Sequence, residues 1–168
     1  MTKTKSFKKL SKLGARIAGL DAVPITCENH MNVWEVYKSN PEYFAECLQR
    51  AAEPKDILTV FERLVKGYDP SNQYFVGLWQ DGSPIAVLEL LPDFPDEDTL
   101  WFSEIIVRGD LHGQGIGCRI IKDILSGSLD FKQIRLGTTS RLVSYWQRFG
   151  FKELLKHSSS KYIVMERD

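Results

Sequence analysis

Apolar positions along the chain recur first at helical and then at strand spacing. Met31–Tyr37 and Glu42–Ala51 carry them at helical spacing, and Asn40-Pro41 marks a helix start between the two. Asp56–Val65 repeats the pattern, with Ile57, Leu58, Val60, Phe61, Leu64 and Val65 as its stripe and Gly67 as the expected stop. The period then changes. Gln73–Trp79 reads as a strand, Gln80-Asp-Gly-Ser83 carries a turn signal, and Ile85–Leu91 returns, which predicts a hairpin. Beyond the acidic, proline-broken stretch Pro92–Asp98, Leu100–Val107 is apolar on both faces apart from Ser103 and Glu104. Such a run predicts a central strand covered on both sides. Helical spacing returns over Gly115–Leu125 through Ile116, Ile120, Ile121 and Ile124. Gln133–Leu136 predicts a short strand, Ser140–Phe149 a helix, and Phe151–Leu155 with Tyr162–Met165 a closing strand pair. Helices, a hairpin, then strand–helix–strand–helix–strand predict a mixed α/β sheet in one domain.

The bulk numbers narrow the class without naming a function. A length of 168 residues suits a single core. Residues 1–12 hold five lysines and few large apolar side chains, so they are expected to form a flexible end, with 13–168 as the domain. Lys plus Arg and Asp plus Glu balance at 22 each, which argues against a chain-wide attraction to nucleic acid or anionic membrane. Cys27, Cys47 and Cys118 are widely spaced, as are His30, His112 and His157, so no disulfide framework, zinc site or metal chemistry is expected. No apolar run approaches the roughly 20 residues needed to span a bilayer. The Lys-rich start lacks an apolar signal core, which leaves the cytoplasm as the expected location.

Candidate chemistry concentrates in Ile105-Ile-Val-Arg-Gly-Asp-Leu-His-Gly-Gln-Gly-Ile-Gly-Cys118. An apolar strand ends, a short loop follows, and glycines 113, 115 and 117 open a helix. Glycine lets the backbone turn sharply and lets a ligand approach where a Cβ would block it. The first helical N–H groups have no internal partners and carry the positive end of the dipole, so the segment reads as a phosphate cradle. A mononucleotide loop needs Lys and Ser or Thr after the glycines, whereas Cys118 and Arg119 stand here. A dinucleotide fingerprint needs G-x-G-x-x-G, whereas the spacing here is G-x-G-x-G, late in the chain. A tight strand–helix connection with no ligand is the alternative.

The segment Val107-Arg-Gly-Asp-Leu-His-Gly-Gln-Gly-Ile-Gly117 resembles the acetyl-CoA motif of the GNAT superfamily, Q/R-x-x-G-x-G/A after a strand end. Downstream, Tyr145-Trp-Gln-Arg-Phe-Gly-Phe151 is similar to that family's second signature, an aromatic pair followed by x-x-x-G-F. The resemblance covers roughly residues 73–155. It implies a single-domain GNAT fold: a central, mostly antiparallel mixed sheet with a splayed strand pair, flanked by helices. It implies acetyl-CoA as co-substrate, its pyrophosphate on the backbone amides of His112, Gly113, Gln114, Gly115, Ile116, Gly117 and Cys118. The pantetheine arm would then follow the strand edge Glu104–Val107, past Ile105, with the amide of Ile106 or Val107 facing the thioester carbonyl. Thr139 stands where many members carry a cofactor-contacting Asn. Trp146 stands where many carry a Tyr proposed to protonate the departing thiolate; it is expected to pack against the pantetheine or to belong to the core, and Tyr145 to point elsewhere.

Direct transfer to an acceptor amine then needs positioning and removal of a proton. Glu104, inside an apolar strand, and Glu89, inside Val87–Leu91, are the candidate bases, because burial raises a carboxyl pKa. For each, a carboxylate that merely reaches solvent or a cation is the alternative. Cys118 reads as a small residue beneath the loop, and nothing orients Cys27, His157 or Ser158–Ser160 for nucleophilic catalysis. The acceptor, a small-molecule or a protein or peptide amine, would be chosen by residues 29–67, the Pro92–Asp98 loop and the C-terminal strands. Asp93, Asp96, Glu97 and Asp98 either draw a cationic amine or are simply solvated. No nucleic-acid or membrane partner is expected, and the protein is expected to be a monomer or homodimer. A non-catalytic acyl-CoA sensor of the same fold is the alternative function.

Overall fold

The structure, a computed structural model, describes residues 10, 13–64, 66–128, 130–155 and 162–168. Eight strands among them form one sheet in the order β1-β2-β3-β4-β5-β6-β8-β7. The centre is the predicted hairpin, β3 (Tyr74–Gln80) and β4 (Ser83–Pro92), joined through Asp81 and Gly82. Both turn residues have positive φ, 50° and 76°, matching the right-handed twist of the strands they join. Next to β4 runs β5 (Thr99–Val107), antiparallel to it, and β5 then pairs in parallel with β6 (Gln133–Thr138). On the far side, β8 (Ile163–Arg167) is antiparallel both to β6 and to the short β7 (Lys152–Glu153). The sheet is therefore mixed but mostly antiparallel, as expected.

Helices cover both faces. A 3-10 turn, His30–Val33, leads into α1 (Trp34–Lys38), followed by α2 (Pro41–Leu48) and α3 (Lys55–Glu62). Their apolar stripes, including Val36, Tyr37, Phe44, Ile57 and Val60, bury against Phe75, Val87 and Ile106 of the sheet. The other face buries Ile116, Ile120, Ile121 and Ile124 of α4 (Ile116–Gly127) against Leu78, Leu88, Leu90, Leu100 and Phe102. Leu10 is buried in this same core.

Several boundaries differ from the sequence expectation. Leu20–Pro24 forms β2 and Arg16–Ile17 forms β1, extending the sheet beyond β3, whereas no strand is predicted before Gln73. Helix α3 caps at Arg63, four residues before Gly67. Ser140–Phe149 divides into a 3-10 turn, Ser140–Leu142, and α5, Val143–Gln147. His157 and Ser158–Ser160 lie outside the described residues.

Two features of β5 position the site. Its register against β4 runs Glu89↔Glu104 and then Leu90↔Phe102, so Ser103 is an extra, unpaired residue. Such a bulge reverses which face each later side chain meets. Leu100 and Phe102 accordingly join the α4-side core, while Ile106 joins the core under α1–α3. Pairing of β5 with β6 stops at Phe102↔Leu136. Beyond that point β6 stays with β8 and β5 with β4, and a gap opens between them.

Candidate active site

The gap exposes the free edge of β5. Arg108 N–H donates to the Ile85 carbonyl at 2.8 Å. Antiparallel pairing alternates, so Ile106, opposite Val87, also turns its N–H and C=O towards β4. Ile105 and Val107 present theirs to the gap. Of the two amides expected to face a thioester, the register leaves Val107 in place and withdraws Ile106. The Val107 carbonyl accepts two hydrogen bonds on this edge, from Asn40 Nδ2 at 3.0 Å and His112 Nε2 at 2.9 Å.

The glycine loop follows directly. Gly113 and Gly115 have φ of 79° and 76°, conformations that side chains other than glycine rarely adopt. A Cβ built on Gly113 meets nothing within 4 Å, and one on Gly115 meets only Arg119 Nη1 at 3.8 Å, so the backbone faces open space. Gly115 is the N-cap of α4 and contributes no side-chain cap. The first intrahelical bond is Arg119 N–H to the Gly115 carbonyl, at 3.1 Å, leaving the N–H groups of Ile116, Gly117 and Cys118 without helical partners.

A cleft of about 500 Å³ runs from this loop to the β5 edge, lined among others by Ile105, Val107, His112, Cys118, Leu142 and Trp146. A second, of about 640 Å³, meets it along Ile105, Val107, His112 and Leu142 and extends under Asn40, Tyr43 and Arg141. Arg141 spans this second cleft to Glu46 at 2.8 Å, tying the α2 side to the β6 side. Of the residues expected to bind cofactor, Ile105, Val107, His112, Gly113, Gly115, Ile116, Gly117, Cys118 and Trp146 line the first cleft and Ile106 the second, whereas Gln114 and Thr139 line neither. Thr139, the residue after β6, has a buried hydroxyl with no partner among the described residues.

The aromatic signature faces the same cleft. Trp146 lines it while packing edge-on against Phe102, Tyr145 and Phe151. Tyr145, expected to point elsewhere, also lines it, its hydroxyl 3.9 Å from Cys118 Sγ. Burial, then the hydrogen bond that its O–H shares with Cys118 Sγ, pushes the Tyr145 phenol up to about 12. A Cβ at Gly117 would lie 3.2 Å from that hydroxyl, so the third glycine makes room for the tyrosine.

Glu104 and Glu89 sit opposite each other on the α1–α3 face, both buried. Tyr37 O–H donates to Glu104 Oε2 at 3.0 Å. One guanidinium nitrogen of half-exposed Arg63 lies 3.2 Å from Glu89 Oε2 and 3.5 Å from Glu104 Oε2. Gln73 Nε2 donates to Glu89 Oε1 at 2.7 Å. Burial pushes the Glu104 carboxyl up to about 7, with Arg63 opposing and Glu89 reinforcing. Neither acid lines the two clefts, and neither does Arg63 or Tyr37. No motif singles out Tyr37 or Arg63, the sequence marks Asn40 only as a helix start, and Tyr145, inside the second signature, carries no expected role. Only tertiary contact across 67 residues joins Asn40 and Tyr37 to β5.

Three acids of the Pro92–Asp98 loop have partners, two of them basic residues outside it. Asp96 pairs with Arg135 at 3.1 Å, Asp98 with Lys132 at 2.8 Å, and Asp93 accepts the Asp98 N–H at 2.9 Å. Each of these three acids thus has a partner, while the Asp96 side chain is still 70% exposed. Among the described residues, no group of three or more His, Cys, Asp or Glu could hold a metal ion, and no helix is long and apolar enough to cross a membrane.

Comparisons with known proteins agree with this geometry. A search of curated proteins finds no match. An acetyltransferase from Thermus thermophilus superimposes with a TM-score of 0.73 at 18% identity, over 88% of this chain and 96% of that one. The PaiA N-acetyltransferase from Thermoplasma acidophilum, in complex with coenzyme A, gives 0.60 at 14% identity over 89% and 98%. The ribosomal-protein-S18-alanine N-acetyltransferase from Escherichia coli gives 0.59 at 13% over 86% and 90%. At such identities the structures establish the fold. The model of the Acetyltransferase (GNAT) family matches residues 33–151, from the start of the helical layer to the last aromatic of the second signature. The chain belongs to the GNAT acetyltransferase family.

Proposed function

We propose that this protein is an acetyl-CoA-dependent N-acetyltransferase that passes an acetyl group directly to a primary amine. The observation that carries this reading is the free edge of β5 opening straight onto a helix N-terminus that no side chain caps. The cradle fits the expected group: unpaired N–H groups face space that a Cβ would fill, and the Thr139 hydroxyl lacks a partner among the described residues. Gly113–Cys118 would hold the pyrophosphate, and Ile105, Val107, Leu142 and Trp146 would flank the pantetheine. Bound acetyl-CoA supplies the activated thioester.

Every other contribution comes from the chain. The Val107 N–H is aimed where negative charge grows on the thioester oxygen, and such a donor in a dry site is worth roughly 3 kcal/mol in the barrier. Tyr145, protonated at neutral pH, has a hydroxyl in the cleft and can hydrogen-bond the departing thiolate where Trp146 cannot. Glu104, near neutrality, is the better base of the two acids, and its buried position calls for a water to relay the proton. Arg63 is its counter-charge, and Glu89, held by Gln73 and Arg63, is a like charge that helps Glu104 keep its proton. The activity of the Escherichia coli neighbour, on a ribosomal-protein alanine, supports an amine acceptor but does not choose one for this chain.

The sensor reading draws on one observation: no buried carboxylate lines the clefts. Calorimetry with acetyl-CoA and a Gly115→Glu variant tests the binding site. Native binding with loss in the folded variant is expected, because the new anion occupies the pyrophosphate position. Absence of native binding to acetyl-CoA or longer acyl-CoAs refutes both readings. Thiol release with a panel of amines then separates enzyme from sensor.

A further inference from the structure

The free edge of β5 has an electrostatic fault that the fold corrects. A strand edge alternates donors and acceptors, so Val107 presents its N–H and its own C=O to the same gap. In an extended residue these two groups lie side by side. A carbonyl oxygen beside the place where an oxyanion grows repels it, cancelling part of what the N–H donates. Here both lone pairs of that carbonyl are engaged, by Asn40 Nδ2 at 3.0 Å and His112 Nε2 at 2.9 Å. Because the partner is a carbonyl, His112 Nε2 carries a hydrogen in this pair.

Asn40 is built for this contact. It is 7% exposed, unusual for an asparagine, and stands at the N-cap of α2 without capping it. Its amide instead donates to the carbonyls of Val36, at 2.7 Å, and of Val107. Ser39 Oγ beside it accepts the Gly109 N–H at 2.8 Å, so the α1–α2 corner is fastened to the strand end at two adjacent points.

We propose that Asn40 is a positioning residue for acyl transfer: by holding the Val107 carbonyl it keeps the neighbouring N–H the dominant dipole at the reacting end of β5. The inference rests on the acyl-transfer reading and adds a residue that neither signature contains. It predicts an effect on the reacting carbonyl rather than on cofactor affinity.

Asn40→Asp is the decisive variant. It keeps the shape while replacing the amide donor with a carboxylate acceptor, and the amide spectrum shows whether the variant is folded. Asn40→Ala serves as a second variant. Two readouts apply: the Val107 amide resonance with acetyl-CoA against CoA, and thiol release with the amine panel. In the native protein the Val107 amide proton is expected to move downfield with acetyl-CoA and not with CoA. In both variants that difference should vanish, with CoA affinity within about threefold of native and kcat down about ten- to hundredfold at little-changed KM for acetyl-CoA. An unchanged Val107 response with unchanged kcat overturns the proposal, as does an equal loss of affinity for CoA and acetyl-CoA. If the native protein shows neither shift nor thiol release, the acyl-transfer reading itself fails and takes this inference with it.

Discussion

Glu104 brings a strong opposition of terms onto one side chain. Burial disfavours its charge, Arg63 favours it, and Glu89 across the ladder disfavours it again, leaving the carboxyl near 7 against an ordinary value of 4.5. Between those values the folded protein holds a proton that the unfolded chain has released. Stability from this group is therefore present below about 4.5 and is lost as pH rises towards 7. Urea denaturation from pH 4.5 to 7.5 should show a native stability that declines by a few kcal/mol relative to Glu104→Gln. Coincident slopes would remove the shifted carboxyl. If Glu104 is the base, kcat/KM should rise with pH through about 7 and fall on the order of a hundredfold at pH 8 in Glu104→Gln. A pH-independent rate in the native protein would shift the role to bulk water.

The helix-opening glycine loop depends on side chains from another element. Gly117 tolerates Tyr145 because a Cβ there would come within 3.2 Å of the tyrosine hydroxyl, closer than ordinary contact. Gly117→Ala gains helix propensity but meets that hydroxyl, so its sign depends on whether the ring can yield. Removing the hydroxyl relieves the conflict. In a double-mutant cycle by urea denaturation, Gly117→Ala should be about 1 kcal/mol more favourable in a Tyr145→Phe background than alone. Additive effects would show that the hydroxyl does not occupy the cleft. At this scale the long, periodic elements were legible: β3, β4, β5 and α4 lie where alternation and helical spacing place them. The β1–β2 hairpin was not, because its strands are two and five residues long with mostly exposed side chains. Its turn, Ala18-Gly19, relies on positive φ at an alanine, which no sequence rule anticipates.

For the molecule as a whole, the site lies where two halves of the sheet part and the α1–α2 corner closes over the end of β5. That corner packs against Gly109, where a Cβ would sit 2.0 Å from the Ser39 carbonyl oxygen. No rotamer relieves a clash between backbones. Gly109→Ala should therefore destabilise the fold by about 3 kcal/mol, read as a lowered denaturation midpoint. It should also weaken turnover beyond the stability loss, because Asn40 shifts with the corner. An unchanged midpoint would mean that corner and strand end are not in contact.

The sequence alone determined the parts whose physics is local. Glycines 113, 115 and 117 follow a strand and open a helix, the hairpin follows from strand runs joined by Asp-Gly, and the central strand follows from a run apolar on both faces. It also placed Glu104 as an acid inside an apolar strand. Tertiary structure decided which groups act together. The Ser103 bulge sets the face on which Glu104 lies, and the end of β5–β6 pairing at Phe102 frees the edge beyond it. Arg63, Tyr37 and Asn40 reach that strand from segments 41 to 67 residues away, and Arg63 meets Glu104 only through folding. Register and long-range contact are properties of the packed sheet, so no window of sequence holds them.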